Sequence, residues 1–78
     1  MFTVGSFVEF TWWSNYYAPS VYSDGNYNTT WHKLNPGDKG VVIGIVIGSI
    51  ANEIKYSVLF ISVPGIPLSI HNSMLKLA

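Results

Sequence analysis

Residues 4–13, VGSFVEFTWW, alternate in character: Val8, Phe10 and Trp12 fall on one side, and Phe7, Glu9, Thr11 and Trp13 on the other. β-Branched and aromatic residues at period two predict a strand, entered through a turn at Gly5-Ser6. Residues 40–48, GVVIGIVIG, predict a second strand that is apolar on both faces. Val42, Gly44 and Val46 share one face; Val41, Ile43, Ile45 and Ile47 share the other. A turn is expected over GSIANE. The third strand follows over residues 54–63, IKYSVLFISV, where Tyr56, Val58 and Phe60 alternate with Lys55, Ser57, Leu59 and Ile61. PGIP at 64–67 ends that strand, because proline cannot donate to a sheet ladder. The chain then closes with a short strand at LSIH (68–71), one helical turn at NSM, and a last strand at LKLA. No stretch shows the period of a useful amphipathic helix, and no segment repeats.

Residues 14–38 keep no period, yet they do not read as a disordered loop. The stretch TWWSNYYAPSVYSDGNYNTTWH, residues 11–32, carries seven Trp and Tyr side chains in twenty-two residues. Disordered segments are poor in large aromatics, and a connection this long inside a compact domain is expected to be structured or functional. Asp24-Gly25 and Pro36-Gly37 are turn dipeptides. Asp24-Gly25 could close a hairpin between VYS and NYNTTWH, which would make the aromatic stretch a β-ribbon.

Charge changes the picture. Four lysines balance four acids, there is no arginine, and charged residues make up 10% of the chain; an average domain has about a quarter. Soluble monomers ordinarily carry a more charged surface and a net charge away from zero. The expectation is therefore that another molecule covers part of the apolar surface. Seventy-eight residues make one domain, 1–78, and the absence of cysteine excludes disulfides and thiolate zinc sites. The N-terminus lacks the basic start of a secretory signal, so an intracellular rather than secreted protein is expected. The longest apolar run, residues 40–51, is too short to span a bilayer.

Taken in order, VGSFVEF (4–10), PGDKGVVIGI (36–45), YSVLF (56–60) and NSMLKLA (72–78) resemble the SH3-like small barrels, a group that includes KOW-type domains and a small stromal subunit of photosystem I. The four pieces cover about half the chain. The resemblance implies an all-β, five-stranded barrel with a long aromatic first connection, a possible extra hairpin there, and a short helical turn before the last strand. It also implies that Val8, Phe10, Val42, Val58, Phe60 and Leu75 point inward. It does not imply an activity, because the fold hosts many unrelated functions. The stretch that signalling SH3 domains use for proline-rich peptides is missing, and the basic character of RNA-binding KOW domains is missing too.

Candidate chemistry is sparse. His32 and His71 are the only histidines and sit at no metal-ligand spacing, so no metal or cofactor is expected. His71-Asn72-Ser73 could suggest nucleophilic catalysis, but sequence adjacency does not build a triad; the expected role is for Asn72 or Ser73 to cap the helical turn. Aromatics could stack bases or sugars, but nucleic-acid affinity needs cations, and the aromatic stretch has none before Lys33. Aromatic, nearly uncharged surface suits protein interfaces best. The sequence thus points to a non-enzymatic, protein-binding or structural small barrel, an accessory subunit of a larger assembly, with a phage or virion component as one setting. A nucleic-acid- or peptide-binding module is the alternative. The expected partner is protein, either another chain or a second copy. The expected contact residues are Trp12, Trp13, Tyr16, Tyr17, Tyr22, Tyr27 and Trp31 of the ribbon, with Val41, Ile43, Ile45, Ile47, Leu59 and Ile61 as an outward apolar row. A peptide groove, if present, is expected to be lined by Trp12, Trp13 and Tyr16 or Tyr17.

Overall fold

The computed structural model describes residues 2–21, 27–47 and 54–78, with the backbone alone for residues 27–29 and 47. It is all-β. Strands β1 (Phe7–Phe10), β2 (Tyr16–Val21), β3 (Tyr27–Leu34), β4 (Lys39–Ile47), β5 (Ile54–Phe60), β6 (Leu68–His71) and β7 (Leu75–Leu77) form one antiparallel sheet. A 3₁₀ turn, Asn72–Met74, precedes β7. The sheet order is β3-β2-β6-β5-β4-β1-β7. The five strands expected from the sequence are β1, β4, β5, β6 and β7; the aromatic stretch supplies two more as the hairpin β2–β3. The sheet does not close, and β3 and β7 form its two edges. Asp24-Gly25 and the GSIANE turn lie outside the described residues.

Short connections bend this sheet. β3 and β4 stand four places apart, which in a flat sheet would be about 19 Å. Yet they are joined by Asn35-Pro36-Gly37-Asp38, whose ends in a β-turn lie within about 7 Å. The turn is well made: Asp38 N–H donates to the Asn35 carbonyl at 3.1 Å, and the Asp38 carboxylate accepts from Asn35 N–H at 2.9 Å. Gly37, the residue after proline, takes φ +96°, the left-handed conformation that glycine adopts without strain. The same turn docks on β1, with Gly37 N–H donating to the Phe10 carbonyl at 2.9 Å and Phe10 N–H to the Asp38 carbonyl at 2.8 Å. Such a path is possible only if the sheet curls, bringing both of its ends around one interior. Phe10 of β1 and Tyr16 of β2 accordingly have ring centroids 5.6 Å apart.

One cluster fills that interior: Val8, Phe10, Ala18, Leu34, Val42, Tyr56, Val58, Phe60, Leu68, Ile70 and Leu75. All six residues expected inside are in it. The ribbon contributes Ala18 and Leu34 to this same core, and among the described residues no second core lies over the β4 face. β1 is shorter than the alternation suggested. It ends at Phe10, and Trp12 packs half-buried against the cluster from the following link. The predicted 54–63 strand likewise stops at Phe60, which leaves Ile61 in a turn.

The apolar row expected on the second strand is broken. Gly40, Val41 and Val42 pair with Phe60, Leu59 and Val58, but Gly44 pairs with Ser57, so Ile43 is an extra residue in a β-bulge. A one-residue shift exchanges the faces of everything beyond it. Ile45 therefore lies opposite Tyr56, on the core side of the sheet, where the core runs out and leaves it 47% exposed. Val46, opposite Lys55, takes the outer face in its place. Val41, Ile43 and Ile45 do not form one outward row. What remains outside is a shorter row, in which Val41 pairs with Phe7 on one side and Leu59 on the other. A charged row lies beside it, where Glu9 pairs with Lys39 and Lys76 and makes a 3.7 Å ion pair with the latter.

Candidate functional site

The hairpin β2–β3 is tied to the rest of the sheet at one end. Ser20 pairs with Leu68, and Val21 N–H donates to the Pro67 carbonyl at 2.9 Å. Continuing that register would set Pro19 beside Ser69 and Tyr17 beside His71, but no such pairs form among the described residues. Pro19 has no N–H, so the ladder cannot run through it. Beyond Ser20 the ladder stops, and a groove of about 560 Å³ lies along this part of the sheet. Tyr16, Pro19 and Trp31 line it from the hairpin; Lys55, Ser69 and His71 come from β5 and β6, and Met74 from the 3₁₀ turn.

Alternation along LSIH places these groups. Leu68 and Ile70 enter the core, so Ser69 and His71 face the other way, towards the groove. Register brings Lys55 opposite His71 across β5 and β6. Trp31 is the cross-strand partner of Pro19 on the outer side of the hairpin. The wall is thus mostly aromatic and aliphatic, with three polar side chains on one flank, the usual makeup of a recognition groove.

His71, not Asn72 or Ser73, caps the 3₁₀ turn. Its Nδ1 accepts from Ser73 N–H at 3.1 Å and lies 2.8 Å from Ser73 Oγ. An Nδ1 that accepts a backbone N–H carries no proton, so the neutral ring carries its proton on Nε2. Ser69 is 5% exposed, and its Oγ makes no hydrogen bond within the protein. Most buried hydroxyls are paired, so an unpaired one at a groove is informative.

Among the described residues, the groove brings together two of those expected to bind, Tyr16 and Trp31. Trp12 and Trp13 stack on each other at 5.5 Å, and with Tyr17 they lie outside the groove lining, contrary to the expected groove. Trp13 and Tyr17 are exposed. Tyr22 lies outside the described residues, as do the side chains of Tyr27 and Ile47. Val41 and Leu59 are half-buried on the outer face, while Ile43, Ile45 and Ile61 are exposed at three different places: bulge, strand end and turn. Pro19, Lys55, Ser69, His71 and Met74 were not anticipated. Alternation in LSIH could have paired Ser69 with His71, but no local pattern shows that β2 passes in front of them.

Among the described residues no three His, Asp or Glu side chains gather as metal ligands, and no helix is long and apolar enough to cross a membrane. No family model, curated protein or solved structure matches this chain.

Proposed function

We propose that this chain works by binding, holding an extended segment of a partner protein in the groove between β2 and β6. The observation that carries this reading is the groove of about 560 Å³ walled by Tyr16, Pro19, Trp31 and Met74, where the β2–β6 ladder stops at Pro19. Extended peptides are commonly recognised through pockets for alternate side chains. We further propose that the fold is a small SH3-like barrel whose first connection has become the β2–β3 hairpin. The neighbour order β6-β5-β4-β1-β7, the 3₁₀ turn before the last strand and the curled sheet support that assignment.

The reading assigns no reaction to the site. The His71–Ser73 contact has the length of a nucleophile–base pair, but Nδ1 serves as the turn's cap, and the two residues belong to one local turn. The setting proposed is a larger assembly, supported by the low charge and by the exposure of Trp13, Tyr17 and Trp31. Panning a random peptide display library on the pure protein tests the binding function. Selected peptides are expected to lose binding on Met74→Glu and Trp31→Glu and to keep it on Trp13→Ala. Peptides insensitive to both groove variants would refute the reading.

A further inference from the structure

Trp12 and Trp13 take no part in the groove, yet they are arranged together. Successive side chains of an extended strand point to opposite faces, so sequence neighbours do not stack there. After β1 the chain bends at Trp12, and the two indoles lie face to face, with centroids 5.5 Å apart and planes 17° from parallel. Trp12 packs against the core and anchors the pair from within. Trp13 lies on it and is itself 73% exposed. One face of the Trp13 indole is thus backed by a ring, and the other is open to solvent. The link that carries the pair is fixed at both ends. Thr11 N–H donates to the Met74 carbonyl at 2.9 Å, and Thr11 Oγ1 donates to the same oxygen at 3.1 Å. At the other end Asn15 takes φ +58°, the one left-handed residue besides glycine among the described residues, and its N–H donates to Asn35 Oδ1 at 2.8 Å. Backbone held in this way recurs at ligand clamps. Only an oxygen can accept that bond, so the Asn35 amide is oriented with Nδ2 turned away from Asn15 N–H. Nδ2 makes no hydrogen bond among the described residues.

We propose that this pair is a platform for a neutral sugar, with the C–H face of a pyranose ring on Trp13 and a sugar hydroxyl accepting from Asn35 Nδ2. The face of an indole is electron-rich and attracts polarised C–H groups. Backing by Trp12 fixes the ring beforehand, which lowers the freedom lost on binding. Asn15 stands two residues from Trp13, at most about 7 Å along the chain, so the amide bonded to it is within reach of a sugar lying on the indole. A pyranose carries hydroxyls around its rim, which suits one stacking face beside one amide donor. Charge argues against nucleic acid here. Residues 11–18 hold no charged side chain, and phosphate affinity depends on cations. The proposal is independent of the groove between β2 and β6.

The test titrates chitotetraose, cellotetraose and maltotetraose into the ¹⁵N-labelled full chain and follows the indole N–H signals of Trp12, Trp13 and Trp31. At least one of these sugars is expected to bind with a Kd of about 1 mM or tighter, moving the Trp13 signal most and the Trp31 signal little. Trp13→Ala should weaken that binding at least about tenfold. Asn35→Asp keeps an oxygen for Asn15 N–H and removes the amide donor; it should weaken binding at least about threefold while the amide spectrum stays that of the folded chain. Silence of the Trp13 signal with all these sugars would overturn the proposal, as would sugar binding that survives Trp13→Ala. Unchanged binding by Asn35→Asp would overturn the role given to the amide. A proline hexapeptide or an oligothymidylate that moves the Trp13 signal where the sugars do not would assign the platform to peptide or to nucleic acid instead.

Discussion

Ser20 of β2 pairs with Leu68 of β6, and at that pair the hairpin joins the rest of the sheet. Everything proposed for the groove depends on this junction holding its flanks in place. Leu68 is fully buried beneath it. Leu68→Ala is expected to cost about 2–5 kcal/mol, since such truncations leave a cavity the surroundings only partly fill. For a domain of this size that lowers Tm by roughly 4–8 °C per kcal/mol. Thermal unfolding followed by circular dichroism measures it, and a change within error would mean the junction is not packed as described.

Two glycines of β4 should respond with opposite signs. A Cβ on Gly40 would collide with the Leu59 carbonyl and crowd Phe60 Cα, both backbone atoms of β5 that cannot step aside. Gly40→Ala is expected to destabilise by about 1–3 kcal/mol. At Gly44 the nearest atom to an added Cβ is Ser57 Cβ at 3.6 Å, an ordinary contact. Gly44→Ala should be neutral or stabilise by up to about 1 kcal/mol, through the unfolded chain's lost freedom. Denaturant melts of both variants decide the matter; equal losses would contradict the register given for β4 and β5.

The cap on the 3₁₀ turn gives a third expectation. His71→Ala removes the acceptor for Ser73 N–H and is expected to cost about 1 kcal/mol. His71→Asn keeps a short acceptor and should recover part of the loss. Urea unfolding of the pair checks this, and indistinguishable variants would show that the contact has no energetic weight.

Ile45→Lys separates the exposed end of β4 from the groove. Ile45 is half exposed at the end of the sheet and takes no part in the groove lining. The substitution is expected to leave fold, solution mass by light scattering and peptide binding unchanged within about 0.5 kcal/mol. Loss of association or solubility would instead make the β4 face a docking surface.

The core was legible because it follows a strict period. Val8 and Phe10, and then Val58 and Phe60, each occupy alternate positions, and burying one face fixes the strand register. The β4 face was not legible for the converse reason. In GVVIGIVIG both faces are apolar, so a bulge at Ile43 exchanges Val46 for Ile45 without placing a polar group in the core, and period two cannot reveal it. The hairpin was visible in outline through its aromatic residues. Which face of it would be buried depended on Ala18 and Leu34 reaching the main core, a contact set by the tight turn at Pro36-Gly37. The groove was hidden for a similar reason: it is lined by strands far apart in sequence.

The central claim is that β2 and β6 hold a partner's segment between them. The most direct measurement is amide shift mapping on the ¹⁵N-labelled protein with the tightest peptide selected by display. The account predicts shifts concentrated on Tyr16, Trp31, Lys55, Ser69, His71 and Met74, with Phe7, Val41 and Leu59 unmoved. Shifts centred on Phe7, Val41 and Leu59, with the groove silent, would contradict it and assign binding to the outer face of the sheet.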